Sequence, residues 1–168
     1  EVSHFSIKGC RVFDAREQLT GVAPTGGRGL FVNKAVNSQI IEECFFSSFP
    51  DGSLFLGSDS NARSADNIVV NKVWCFSDTA PGISIGNMNN TCRISNIFCD
   101  GPLPVIQRLN GNQNTSVYDF SSIKHENGTE TTISMFDNDN VFCHSIIRRS
   151  DNNVAVISPP SKRGSYLN

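Results

Sequence analysis

The sequence predicts an all-β chain wound into a parallel β-solenoid of about six coils. Three observations predict it. No long stretch carries the apolar periodicity of a helix, while Gly, Ser, Asn and Asp punctuate the chain every few residues. Apolar residues recur at steps of two, three and two in six separate segments. Each such segment is followed by a turn and a second short apolar run.

The first strand of each coil reads "FSIKGCRV" (residues 5–12), "QIIEECFF" (39–46), "IVVNKVWC" (68–75) and "CRISNIFC" (92–99). Two weaker copies follow, "YDFSSIKH" (118–125) and "VFCHSIIR" (141–148). Their second positions are Ile7, Ile41, Val70, Ile94, Phe120 and Cys143, separated by 34, 29, 24, 26 and 23 residues. The second strands read "GLFV" (29–32), "SLFL" (53–56), "GISI" (82–85), "LPVI" (103–106), "TISM" (132–135) and "NVAV" (153–156). Most first strands are preceded by Asn37, Asn67, Asn90 or Asn140, whose side chains bond their own backbone and suit corners. Short strands, an irregular period and insertions confined to turns describe coils stacked at the ordinary strand spacing, a rod roughly 30 Å long. A β-sandwich is the competing architecture, but nothing requires its strands to repeat one spacing six times. The coils are expected over residues 1–157, with 158–168 as a C-terminal tail.

Stacking the copies assigns inward columns. The third runs Cys10, Cys44, Val73, Ile97, Ile123, Ile146, and the fourth Val12, Phe46, Cys75, Cys99, His125, Arg148. Cys92 and Cys143 take first and second positions, so all six cysteines occupy slots mostly held by Val, Ile and Phe, as packed thiols. Cys10–Cys44 and Cys75–Cys99 fall on adjacent rungs, where a disulfide is sterically conceivable. No CxxC is present and no zinc or other metal site is expected.

Outward positions form two columns: Arg11, Phe45, Trp74, Phe98, Lys124, Ile147, and Ser6, Ile40, Val69, Arg93, Asp119, Phe142. Phe31 and Phe55 join them from the second strands. Together they predict an apolar patch larger than a soluble monomer exposes. Self-association of rods, a sugar-stacking platform, or a cover from the long turn 14–29 would each satisfy it. The candidate ligand-binding residues are Trp74, Phe45, Phe98, Arg11 and Arg93.

Acids gather after the first strands: Asp14, Asp78, Asp100, Glu126 and Asp151, with Asp51 slightly later in its turn. Stacked carboxylates raise one another's pKa and suit an acid/base or acid/nucleophile pair, or a calcium ion. Asp is equally a common turn residue. The candidate catalytic set is Asp78, Asp100, Asp51, Asp14 and Glu17, the last with Arg16 in the long turn.

Other chemistries find no footing. A net charge of −2 and a pI of about 5.9 leave no footprint for nucleic acid, and no apolar run reaches membrane-span length. P-loop and HExxH patterns are absent, and His4, His125 and His144 fall on three different coils. Asn89, Asn114 and Asn127 carry glycosylation sequons of a kind that an Asn-rich chain produces by chance. No cofactor is expected.

The stretches "GVAPTGGRGLFVNKAVNSQIIEECFFSS", "NIVVNKVWCFSD" and "NTCRISNIFCDG" resemble the pectate-lyase-like right-handed parallel β-helices, particularly those of bacteriophage tailspikes. The resemblance covers about residues 2 to 157 and rests on the coil pattern. It implies a homotrimer on a virion tail, made in the host cytoplasm, that binds a bacterial surface polysaccharide. It also implies cleavage by hydrolysis or elimination, using flank carboxylates. Family members usually have more coils and a head, so this chain is expected to be a piece of a longer spike. Two alternatives stand beside that expectation. One is a non-catalytic trimeric shaft. The other is a cellular pectinase-like enzyme, for which Asp78 and Asp100 with Arg93 form the nearest set.

Overall fold

Residues 4–13, 27–32, 38–47, 49–57, 67–77, 79–86, 91–109, 117–135, 140–149 and 157–158 are described by the structure, a computed structural model. Within them the 2–3–2 pattern forms β1 (Phe5–Lys8) with β2 (Arg11–Phe13), then β4 (Gln39–Ser47), β6 (Ile68–Phe76), β8 (Thr91–Asp100), β10 (Val117–Glu126) and β12 (Asn140–Arg149). These stack in that order as one parallel sheet. The short second strands are β3 (Leu30–Val32), β5 (Leu54–Leu56), β7 (Ile83–Ile85), β9 (Ile106–Arg108), β11 (Ile133–Ser134) and β13 (Ile157–Ser158). They form a second parallel sheet, again in chain order. The chain passes from one sheet to the other and back, which makes a parallel β-solenoid.

Register follows the sequence columns. Ile7, Ile41, Val70, Ile94, Phe120 and Cys143 are successive partners, as are Val12, Phe46, Cys75, Cys99, His125 and Arg148. Shifting one strand by a residue would send its Ile and Val side chains outward, so burial fixes the register. Ile41, Val70, Ile94, Leu54, Ile83 and Ile106 are completely buried. Each such side chain contributes about 1.5–3 kcal/mol. Gly82 allows the two sheets to close, because a Cβ there would lie 3.0 Å from Cys99 Sγ and 3.3 Å from Cys75 Cβ.

The middle step of three has a backbone cause. Gly9, Glu43, Lys72, Asn96, Ser122 and Ser145 occupy one position of successive rungs, and all have φ between 53° and 69°. A single left-handed residue interrupts the alternation, so the side chain that would point out is replaced by a bend, and the next inward residue comes three along. The strand pairings pass over these residues on both sides. A polar ladder follows this edge. Asn71 Nδ2 donates to Glu42 at 3.2 Å, while Ser95 and Asn96 donate to Asn71 Oδ1 at 3.2 and 2.9 Å.

Three differences from the sequence expectation have physical reasons. The fourth short strand is β9, beginning at Ile106 rather than Leu103, because Pro102 and Pro104 have no N–H to donate to a ladder. Their carbonyls still accept bonds from Thr129 and Gly82. Cys10 is exposed rather than packed, since its rung is the end one of the described stack and β2 pairs with β4 alone among the described strands. The aliphatic column Val32, Leu56, Ile85 continues as Arg108, buried, with its guanidinium donating to the hydroxyl of buried Tyr118.

Candidate functional site

The bend divides each long strand into two facets. Beyond it, inward residues alternate with two outward columns. One holds Arg11, Phe45, Trp74, Phe98, Lys124 and Ile147, and the other Phe13, Ser47, Phe76, Asp100, Glu126 and Arg149. These columns lie side by side, and their rings meet. Ring centroids are 5.3 Å apart for Phe13–Phe45, 5.1 Å for Phe45–Phe76 and 5.8 Å for Phe76–Phe98. The result is an unbroken line of four rings across four rungs. Trp74, 41 % exposed, stands between Phe45 and Phe98 in its column, and Phe13 is 60 % exposed at one end. Lys124 Nζ caps the other end, 5.2 Å over the Phe98 ring.

Sequence alternation reaches Phe45, Trp74 and Phe98, but not Phe13 and Phe76, which complete the line. The missing signal was available in the alternation itself, two residues further on. Arg11 is exposed beside Phe45, on the same facet. Arg93 is not brought to this facet. It lies before the bend in the column Ile40, Val69, Arg93, Asp119, and its Nε sits 3.1 Å from Asp119 Oδ2. The two outward columns expected to adjoin are therefore separated by the bend. Phe55 also departs from expectation. Although it alternates outward, it is only 1 % exposed, with the Arg28 guanidinium 4.0 Å over its ring and Phe31 edge-on at 4.9 Å. Arg28 thus covers the second sheet at this point, which leaves the post-bend facet as the aromatic surface among the described residues.

Of the candidate acids, Asp14, Glu17 and Asp78 lie outside the described residues. Asp51 is exposed in the turn after β4, where its Oδ2 accepts the Gly27 N–H at 2.8 Å and its own N–H donates to Gly27 O at 3.0 Å, a tie between the turns of two coils. Asp100 ends β8, half-buried, with Oδ1 accepting from Asn127 Nδ2 at 2.6 Å. Two rungs separate the Asp51 and Asp100 coils, roughly 10 Å between backbones. Glu126 adjoins Asp100 on the next rung. A hydrogen bond from Lys124 at 2.8 Å, aided by Arg149 at 3.4 Å, holds Glu126 below the usual carboxylate range. It is thus an ionised, cation-paired group and not the raised-pKa acid that glycoside cleavage uses.

The thiols of Cys75, Cys92 and Cys143 are equally unsuited to chemistry. Burial pushes Cys75 and Cys92 up to about 12 and Cys143 up to about 11, so none is a thiolate at neutral pH. No group of three His, Cys, Asp or Glu side chains suited to a metal ion occurs among the described residues. No protein family, curated protein or solved structure matches the chain. What the facet offers is a line of mutually tilted rings (31–46° between successive planes), bordered by Arg11, Lys124, Asp100 and Glu126. Apolar ring surfaces of this kind are chemically complementary to C–H faces, and the charged border to hydroxyls.

Proposed function

We propose that this chain is a receptor-binding segment of a bacteriophage tailspike-type fibre, and that its post-bend facet binds a bacterial surface polysaccharide. The observation that carries the reading is the line Phe13–Phe45–Phe76–Phe98 with Trp74 exposed beside it. Sugar rings stack their C–H faces on aromatic rings, and successive rungs repeat such rings along the rod, as successive sugars repeat along a chain. The charged border supplies donors and acceptors for hydroxyls. Binding is the activity assigned to this facet, because its carboxylates among the described residues, Glu126 and Asp100, are engaged by Lys124, Arg149 and Asn127.

The test is a panel of capsular and O-antigen polysaccharides passed over immobilised protein, with the eluate sized for shortened chains. Retention of at least one polysaccharide is expected. Trp74→Ala or Phe76→Ala should weaken it about two- to tenfold, each stacked ring being worth about 0.5–1.5 kcal/mol. Neither retention nor shortening on a broad panel would sink the reading.

A homotrimer of parallel rods is the second reading. It is favoured by Ile40, 38 % exposed, with Val69 beside it on the pre-bend facet. Sedimentation equilibrium should then give three chains for the native protein and one for Ile40→Asp. A native monomer at all concentrations removes this reading and leaves the glycan reading standing.

A further inference from the structure

We propose that Cys10 and Cys44 form a redox-controlled crosslink between the first two rungs, closed by thiol–disulfide exchange with a small-molecule disulfide. Among the described thiols, Cys10 is the exposed one, while Cys44, Cys75, Cys92, Cys99 and Cys143 are buried. Cys10 and Cys44 lie opposite each other, since Arg11 pairs with Phe45 and the Phe45 N–H donates to Cys10 O at 2.8 Å. The Cys44 thiol reaches across to the first rung, 3.9 Å from Ile7 O, besides donating to Glu42 O at 3.2 Å, and the Cys10 thiol lies 3.7 Å from the neighbouring Lys8 O. Adjacent rungs stand about 4.8 Å apart, inside the 4.4–6.8 Å range of Cα separations that disulfides span.

Closure also needs the two Cβ atoms to approach to about 3.8 Å, somewhat less than the rung spacing. The first rung can make that movement. Its strand is broken at Gly9, where φ is 69° and no atom lies within 4 Å of a would-be Cβ, and β2 is bound to β4 alone among the described strands. Cys75 and Cys99 are also rung partners, but they differ in both respects. They sit between β4 and β10, packed against Gly82, and neither thiol reaches solvent. Geometry therefore selects one of the two stacked pairs.

The step balances with a disulfide RSSR as oxidant. The Cys10 thiolate attacks one sulfur of RSSR and expels RS⁻, which takes up a proton. Cys44 then gives up its proton and attacks the Cys10 sulfur of the mixed disulfide, expelling the second RS⁻. Two protein thiols lose two electrons, and RSSR becomes two RSH. The bond closes a ring around the 33 residues between the two cysteines, including the long turn. Restricting that loop in the unfolded chain should raise the thermal midpoint by roughly 5–10 °C. The inference is independent of the glycan reading.

The experiment incubates the native 168-residue chain with oxidised glutathione, then maps peptides by mass spectrometry without reduction. The expected product is a Cys10–Cys44 linked peptide pair with loss of two thiols, and a raised midpoint that dithiothreitol reverses. Cys44→Ser should instead stop at a stable glutathione adduct on Cys10, and Cys10→Ser should keep Cys44 reduced. A wild-type protein that accumulates the Cys10 adduct without closure overturns the proposal. Oxidation of Cys75 with Cys99 ahead of Cys10 with Cys44 overturns it as well.

Discussion

At position 125, a column that holds Phe46, Cys75 and Cys99 on earlier rungs holds a completely buried imidazole. Nε2 donates to the Gly101 carbonyl at 2.9 Å, which leaves Nδ1 to accept from the Thr132 hydroxyl at 3.2 Å. Gly128 covers the ring, and a Cβ there would lie 2.3 Å from it. Burial holds His125 below its ordinary value of 6.5. Arg148 reinforces that direction, whereas the bonds to backbone and the charge of Asp100 oppose it. The unfolded chain takes up its proton near pH 6.5 and the folded chain only at lower pH. The neutral ring's contribution is therefore complete above about 6.5 and declines as pH falls through that value. Thermal midpoints should drop between pH 7.5 and 5.5. His125→Gln should flatten that drop while costing about 1–3 kcal/mol at neutral pH, through the loss of a buried hydrogen bond. Parallel pH profiles for the two proteins would contradict this. The column that buries His125 was legible from spacing alone. Its tautomer was not, because both partners come from turns whose path the apolar pattern does not encode.

The element that most shapes the molecule is the left-handed bend repeated on every long strand. The spacing of two, three and two was visible in the sequence, but its reading as one flat strand placed both outward columns on a single surface. The bend itself is hard to read, because a positive φ is signalled by Gly or Asn, and only Gly9 and Asn96 obey. Glu43, Lys72, Ser122 and Ser145 adopt the same conformation without that signature, held by the pairings on either side. Each such non-glycine residue carries a cost of roughly 1 kcal/mol. Ser122, exposed with a φ of 53°, offers the cleanest test. Ser122→Gly should stabilise the protein by about 0.5–1 kcal/mol in urea titration. Ser122→Val, β-branched at a positive φ, should destabilise it by about 1–2 kcal/mol. Equal effects from the two substitutions would mean that the bend is not a constraint.

Across the whole molecule, stacking turns a local alternation into a surface. Every long-strand pairing joins residues 23 to 34 apart in the chain, so the aromatic facet exists only when the rungs are in register. Sequence columns located Trp74, Phe45 and Phe98 on it correctly. They also placed Phe55 outward without showing that Arg28 lies over it, since strand periodicity does not report the path of a side chain outside the strands. The facet carries the chain's single tryptophan, which makes Trp74 a reporter with no background. The most direct test is therefore Trp74 emission during titration with the polysaccharide that the protein retains, at a fixed low protein concentration. Stacking predicts a saturable blue shift and reduced quenching by acrylamide, with a midpoint that matches the retention affinity. Retention of the polysaccharide with Trp74 emission and quenching unchanged would place the glycan elsewhere and contradict the assignment of this facet.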